Sequence, residues 1–274
     1  MDVVYYNSEF IKAEDLIIKS SNRAFSYGDG FFETIKVING FPFNFSAHYN
    51  RFSFACSVLK LKNIETERSL LALVLKLIQK NKLINGSVKL HISRREGGKY
   101  LPNSSSVNIL MSSSNGEVFI NNKPVSLCIF KDEYKAKGKL SNLKSINSLV
   151  SVLGAIYAKE KRFDNSILKN SDDAFIETTN SNIFILKEEK IYTPPLSDGC
   201  VAGTMREWVM KIENVIEKSL NQIDIETADE VFITNALLGI TSVKEIFLES
   251  TTYEYKAKKS SELQQTLINS SLDL

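Results

Sequence analysis

The stretch NLKSINSLVSVLGA, Asn142 to Ala155, sets one lysine, Lys144, two residues into a polar opening that then turns apolar at helical spacing. A lysine ammonium is ordinarily a solvated surface charge. A reactive one is an amine held beside the carbon it attacks or deprotonates. Three other stretches supply groups that such a lysine would work with. In AFIETTNSNIFIL, Glu177 ends an apolar strand and meets Thr178, Thr179, Asn180, Ser181 and Asn182. This is either a capped turn or a buried carboxylate kept ionised by hydrogen bonds. In GCVAGTMREWV a glycine-containing loop runs into an amphipathic helix at Gly203. The N–H groups of a first helical turn, with the helix dipole, make an anion site; Thr204 would add a hydroxyl, and Arg206 a charge if it points that way. In AHYNRF, His48, Arg51 and Phe52 are helical neighbours, and alone Arg51 reads as an ordinary surface arginine. The only histidines, His48 and His91, read as structural rather than catalytic.

Together these parts match the needs of one cofactor. Pyridoxal phosphate requires a lysine for a Schiff base, an acid for its pyridinium nitrogen and an anion cup for its phosphate. Lys144, Glu177, and the Gly203 helix start with Arg51 would supply them. Spacing shows that each part is available and does not by itself assemble them.

The elements that must position these groups are readable in outline. An extended segment, Val3 to Phe10, opens the chain. In FFETIKVINGFPFNF, Asn39-Gly40 between two β-rich runs marks a hairpin, because both residues tolerate positive φ. Helices are expected from Ser46 to Leu61 and from Glu67 to Leu83, the second with Leu70, Leu71, Val74, Leu75 and Ile78 as its apolar stripe. SVKLHIS and SVNILMS read as strands, and polar SSSNGE (112–117) as a linker. PVSLCIF then leads to a helix from Asn147 to Lys161. Short strands follow (DNSILKN, DAFIET, SNIFIL, KIYTP), then the Gly203 helix, the strand DEVFIT and a helix from Ser260 on. No internal repeat and no regular βαβ rhythm is present. The expectation is an α+β protein of two domains, 1–116 and 117–274.

Bulk properties exclude several classes. At 274 residues, with 43% hydrophobic and 24% charged residues, the chain can bury sizeable cores. The net charge of +2 argues against a nucleic-acid groove, which needs a clustered basic face, and KAKGK (135–139) reads as a solvated loop. Three widely spaced cysteines, Cys56, Cys128 and Cys200, are not a disulfide framework, and no Cys/His spacing suggests zinc or another metal. MDVVYYNSEF has no signal-peptide pattern, and LLALVLKLI is too short to span a bilayer. A cytoplasmic protein is the default expectation.

The order of these stretches resembles the fold-type IV pyridoxal-phosphate enzymes, the class IV aminotransferases, over nearly the whole chain. That family includes branched-chain and D-amino-acid transaminases and aminodeoxychorismate lyase. FSYGDGFFETIKVINGFPF resembles its N-terminal hairpin, AHYNRF its phosphate-arginine helix, and LHISRREGG a strand leading to a substrate loop. LKSIN resembles the lysine segment, IETTNSNIF the pyridine-carboxylate turn, GTMRE the phosphate cup, and ADEVFITNALLGI the strand that closes the site. The resemblance implies a D-amino-acid-aminotransferase-like fold, with pyridoxal 5'-phosphate in a cleft between two α+β domains, and a homodimer. It implies that Lys144, on the second domain, forms the Schiff base and that Glu177 pairs with the pyridine nitrogen. Arg51 and the N–H groups of Thr204 and Met205, after Gly203, would hold the phosphate. Thr179 and Asn182 would support the ring.

Within the family, transaminases commonly carry threonine where this chain has Met205 and a hydroxyl residue where it has Ala236. The lyase more often has methionine and an NAL run, as in Asn235-Ala236-Leu237. The resemblance therefore leans to 4-amino-4-deoxychorismate lyase, which supplies 4-aminobenzoate for folate, with a branched-chain or D-amino-acid transaminase as the alternative. The substrate loop REGGKYLPN departs from the lyase pattern at Lys99. Arg94 and Lys99 are the candidates for the substrate carboxylate, with Asn235 and Ala236 on the substrate side.

Overall fold

In SVKLHIS apolar residues alternate with polar ones, so one face of the strand enters a core and the other does not. The computed structural model describes residues 2–62 and 65–272 and divides them into two units. The first comprises the chain up to Val118 together with Leu143–Asn147. It contains β1 (Val3–Tyr6), β2 (Glu9–Lys12), α1 (Arg23–Tyr27), β3 (Gly30–Ile38), β4 (Phe41–Pro42), α2 (Phe45–Val58), α3 (Glu67–Lys80), β5 (Gly86–Arg94) and β6 (Val107–Asn115). The strands form one antiparallel sheet in the order β2-β1-β6-β5-β3-β4.

Phe31, Ile35 and Val37 of β3 and Val88, Leu90 and Ile92 of β5 share a core with Phe52 of α2 and Leu70, Val74 and Leu77 of α3. Each such side chain contributes roughly 1.5–3 kcal/mol by burial. The opposite face carries the half-buried Phe32, Lys89 and His91. Asn39 and Gly40 both take positive φ, as the hairpin requires. The buried stripe of α3 centres on Leu70, Val74, Leu77 and Ile78, and leaves Leu71 and Leu75 at its margin.

The second unit comprises Phe119–Asn142 and the chain from Ser148 on. Its elements are β7 (Val125–Ile129), α4 (Leu149–Glu160), β8 (Asn165–Lys169), β9 (Phe175–Thr178), β10 (Asn182–Lys187), β11 (Lys190–Thr193), α5 (Thr204–Ile212), β12 (Val215–Glu217), α6 (Gln222–Glu226), β13 (Glu230–Asn235), β14 (Gly239–Leu248), β15 (Thr251–Glu254) and α7 (Lys258–Leu272). The path β10-β13-β14-β7-β8-β9 returns to β10 through one registered pair, Glu177 opposite Asn182, which closes the strands into a ring. Inside lie Leu127, Ile129, Ile167, Ile183, Val231, Ile233 and Val243. No described helix is long and apolar enough to cross a membrane.

The α+β class is observed, and three local expectations are corrected. Ser112 to Asn115 is no linker: β6 runs through it, pairing Ser112 with Lys89 and Ser114 with Ser87. Its serines are polar because they extend the half-exposed face and the sheet's end. The Lys144 segment packs with the first unit rather than with the residues that flank it in sequence. Hydrogen bonds to β3 outweigh chain proximity there. The KAKGK run is not a uniformly solvated loop, since Lys135 pairs with the buried Glu177. The helix expected from Ser260 is α7, whose continuation to residues 273–274 lies outside the described residues.

Candidate functional site

In the first unit, Lys144 is held by backbone. The Phe32 N–H donates to the Lys144 carbonyl at 3.0 Å and the Ile146 N–H to the Gly30 carbonyl at 3.2 Å. Phe31 and Ser145 form an antiparallel bridge between them. Residues 144–146 thus add a short edge strand to the start of β3. Gly30 permits it: a Cβ there would lie 2.2 Å from the Ile92 carbonyl oxygen and 2.9 Å from Ile146 Cδ1. The Lys144 Nζ sits 4.6 Å from the centroid of the Phe32 ring.

Arg51 lies on the core side of the same strand. Its Nε donates to Glu33 Oε1 at 2.7 Å and its Nη2 to Oε2 at 2.5 Å, while His48 Nδ1 lies 2.7 Å from Oε2. All three residues are buried. Burial pushes the Glu33 carboxyl up, but the charge and hydrogen bonds of Arg51, helped by His48, prevail and hold it at about 2. Burial pushes His48 down despite its bond to Glu33. Any anion that Arg51 holds must therefore share the guanidinium with Glu33.

Arg94 is committed within the unit. Its Nε donates to Asp29 Oδ2 at 2.9 Å, its Nη2 to the Leu59 carbonyl at 2.6 Å and its Nη1 to that of Lys60 at 3.4 Å. These bonds pin the end of α2, and they account for the arginine's burial without a substrate. Lys99 is exposed on its loop. What holds that loop is Arg23, which the sequence reading missed. Arg23 Nε bonds Asp29 Oδ2 at 2.8 Å, and Nη1 reaches the carbonyls of Gly97, Gly98 and Lys99, the last at 2.7 Å. Nothing in residue type or local spacing marks Arg23 as the brace of that loop, because the carbonyls it reaches lie over 70 positions away.

In the second unit, Glu177 is buried. Its Oε2 accepts the Val201 N–H at 2.8 Å and its Oε1 accepts from Lys135, whose Nζ also donates to the Ser141 carbonyl at 3.2 Å. A carboxylate oxygen has two acceptor sites, so one further donor can be accommodated. Asn182, across from Glu177, donates from Nδ2 to the Val201 carbonyl at 2.8 Å. Its Oδ1 lies 1.9 Å from where a Cβ on Gly203 would stand. Only glycine fits at this start of α5, which no side chain caps. Thr204 and Met205 are buried in the first turn. Arg206 faces away, its Nη2 on the Pro194 carbonyl at 3.0 Å and on Glu217.

Thr179 and Asn235 belong to one polar chain. Thr179 N and Oγ1 donate to Asn165 Oδ1, and Asn165 Nδ2 to Asn180 Oδ1. Ser181 Oγ donates to Asn180 Oδ1 and accepts from Asn235 Nδ2 at 3.0 Å. Asn235 Oδ1 takes the N–H groups of Leu237 and Leu238. Asn235 thus shapes the turn that displays Ala236. Across from Asn182, the Thr234 hydroxyl is buried with no hydrogen-bond partner among the described residues.

This inventory fits a pyridine ring bearing a phosphate. A buried carboxylate with acceptor capacity left, a helix start where only glycine fits and, among the described residues, an orphaned hydroxyl match what the group's nitrogen and anion require.

Comparison with known proteins points the same way. The profile of the amino-transferase class IV family matches residues 30–246. A Methanocaldococcus jannaschii protein with the provisional name branched-chain-amino-acid aminotransferase is 29% identical over 89% of this chain and 87% of its own. An aminodeoxychorismate lyase of Vibrio harveyi is 28% identical over 82% and 86%. A solved Legionella pneumophila structure, provisionally named 4-amino-4-deoxychorismate lyase, superposes with a TM-score of 0.86 at 25% identity, covering 94% of this chain and 97% of the other.

Proposed function

This chain belongs to the class IV aminotransferase family and works with pyridoxal 5'-phosphate, and from that premise we propose that it is a 4-amino-4-deoxychorismate lyase, releasing pyruvate and 4-aminobenzoate. The observation that carries the choice is the pair Met205 and Ala236, which present no hydroxyl where the family's transaminases commonly do.

When bound, the cofactor supplies an electron sink for negative charge at the amine-bearing carbon of the substrate. Lys144 Nζ, fixed over Phe32 by its edge-strand hydrogen bonds, takes the proton from that carbon. Glu177, steadied by Val201 and Lys135, holds a proton on the ring nitrogen. The α5 start at Gly203, with the N–H groups of Thr204 and Met205, binds the phosphate. Arg51, oriented by Glu33, adds positive charge. Thr179 and Asn182 keep the supporting turn in place. The exposed Lys99 is the better remaining candidate for a substrate carboxylate, since Arg94 is bonded within the fold.

A branched-chain or D-amino-acid transaminase is the second reading, supported by the Methanocaldococcus jannaschii relative, 29% identical over 89% of the chain against 28% over 82% for the Vibrio harveyi lyase. One titration separates the two. The lyase gives pyruvate from aminodeoxychorismate with no 2-oxo acid added, and its cofactor spectrum returns unchanged. A transaminase is instead converted stoichiometrically to the aminated cofactor by an amino acid alone. That outcome, with no pyruvate formed, overturns the lyase reading. Borohydride reduction and peptide mapping should place the cofactor on Lys144; attachment at Lys139 refutes that role.

The chain is also proposed to act as a homodimer. Leu149, Val152, Leu153 and Ile156 line one face of α4 and are 75%, 51%, 45% and 49% exposed. Such an apolar stripe on a helix is the pattern of a face that packs against a partner.

A further inference from the structure

The segment that leads to Gly203 is held from two directions. Val201 turns its N–H and carbonyl to Glu177 and Asn182. Its neighbours turn to Asn142 instead. The Ala202 N–H donates to the Asn142 carbonyl at 3.0 Å. Asn142 Nδ2 donates to the carbonyls of Leu196 and Cys200, each at 2.8 Å. A side-chain amide has two N–H donors, and both are committed here. Asn142 is buried, and three backbone groups of one loop converge on it.

Asn142 is also where the chain leaves the second unit. Leu143, buried among apolar side chains of the first unit, comes next, and then Lys144. The residue before Asn142 is tied as well. The Ser141 carbonyl accepts from Lys135 Nζ at 3.2 Å, and the same amine pairs with Glu177. From Lys144 onward the backbone is fixed to β3. Leu143 alone separates the two anchorages. One residue contributes only two soft dihedrals, so it transmits a displacement at Asn142 rather than absorbing it.

We infer that Asn142 is a positioning residue that couples phosphate occupancy at the start of α5 to the placement of the Lys144 amine. The inference rests on the reading of Lys144 as the reactive amine and of the Gly203 helix start as the phosphate site. An anion drawn to the N–H groups of Thr204 and Met205 fixes the backbone just before them. Through Ala202 and Cys200 it fixes Asn142, and through Leu143 the lysine. The phosphate then does more than add affinity: it selects the arrangement in which the amine meets the cofactor's aldehyde carbon. Imine formation joins Nζ to that carbon and releases the aldehyde oxygen as water. A misplaced amine therefore lowers the extent of that reaction even where the ring still binds.

The test splits the cofactor into its two parts. The full chain is titrated with pyridoxal, which lacks the phosphate, alone and with saturating inorganic phosphate. Imine formation is read by absorbance, then trapped with borohydride for peptide mapping. In wild type, phosphate should tighten pyridoxal by about tenfold, and pyridoxal should tighten phosphate by the same factor, as linkage requires. Asn142→Ala should cut that factor to about twofold or less, the remainder coming from the Ala202 bond to the main-chain carbonyl. Asn142→Asp, alike in shape but without N–H donors, should do the same. Melting curves confirm that both variants are folded. The factor is a ratio, so a uniform loss of affinity from a merely structural role leaves it unmoved. No coupling in wild type, or an unchanged factor in either folded variant, overturns the role of Asn142. If the label maps to Lys144 while the factor is unchanged, only Asn142 falls. If it maps elsewhere, or if Gly203→Ala leaves the phosphate effect intact, the reading of the site falls with it.

Discussion

Glu177 and Asn182, the single registered pair between β9 and β10, grip the same residue from two sides. Glu177 accepts the N–H of Val201, and Asn182 donates to its carbonyl. Val201 stands two residues before Gly203, so the carboxylate and the start of α5 are set by one shared clamp. Replacing Asn182 with Ala leaves the Val201 carbonyl without this partner, a cost of about 1–3 kcal/mol. The expected outcome is a lower melting temperature and pyridoxal phosphate affinity weakened by about tenfold, with mass mapping still placing the cofactor on Lys144. Unchanged cofactor affinity would show that the clamp does not shape the anion site.

Glu177→Gln should still bind cofactor but lose about two or more orders of magnitude in rate, because an amide does not keep the ring nitrogen protonated. Lys135→Met should cost less, since Val201 continues to orient the carboxylate. Comparable losses in the two variants, measured by kcat, would assign Lys135 a larger share of the chemistry than positioning.

Gly203→Ala places a methyl group 1.9 Å from Asn182 Oδ1. One of the two must move, and the start of α5 moves with it. Phosphate affinity should fall more than pyridoxal affinity, which separate titrations of the phosphorylated and unphosphorylated cofactor resolve. The double variant with Asn182→Gly should recover part of the loss.

Acid should unfold the first unit in two overlapping steps. The folded chain resists protonating His48, so below its ordinary 6.5 the unfolded chain takes up a proton that the folded one refuses, and stability falls. Glu33, held at about 2 against an ordinary 4.5, contributes stability above pH 4.5 that is lost as pH falls toward 2. That loss is about 3 kcal/mol. Denaturant melts at pH 7.5, 5.5, 4 and 3 should show both decrements, and His48→Gln should reduce the upper one to the part that His91, also pushed down by burial, contributes. A flat profile from pH 7.5 to 3 would contradict the buried cluster.

Leu153→Glu on α4 should convert a dimer to a monomer by sedimentation without lowering the yield of folded protein, because the residue is 45% exposed. A wild-type chain that sediments as a monomer at micromolar concentration would remove the homodimer proposal.

Much of this is legible in the sequence. The Asn39-Gly40 hairpin, the start of α3 and Gly203 at the head of α5 each rest on local chemistry that one window of sequence contains. What escaped depends on partners distant in the chain. Arg23 matters for carbonyls more than 70 residues away, Lys135 for a carboxylate 42 residues on, and Glu33 for a helix that follows a hairpin. The serines of β6 misled because polar composition signals a loop unless the pairing strand is known. The brace that Arg94 forms was hidden for the same reason, since its carbonyl partners on Leu59 and Lys60 lie more than 30 residues earlier in the chain.

The edge strand at residues 144–146 also bears on how the chain is made. β3 leaves the ribosome long before Lys144 does, so during synthesis the Phe32 N–H and the Gly30 carbonyl wait unpaired while more than a hundred residues are added. The first sheet is finished only when Asn147 has emerged, and the chain then returns to the second unit. A polypeptide stopped at Val118 holds the docking strand without the amine, and one begun at Phe119 holds the amine without its dock. Neither half carries the positioned lysine alone. Co-expressing the two pieces should restore borohydride-trappable cofactor only if they reassociate, which makes the reactive lysine a reporter of fragment complementation.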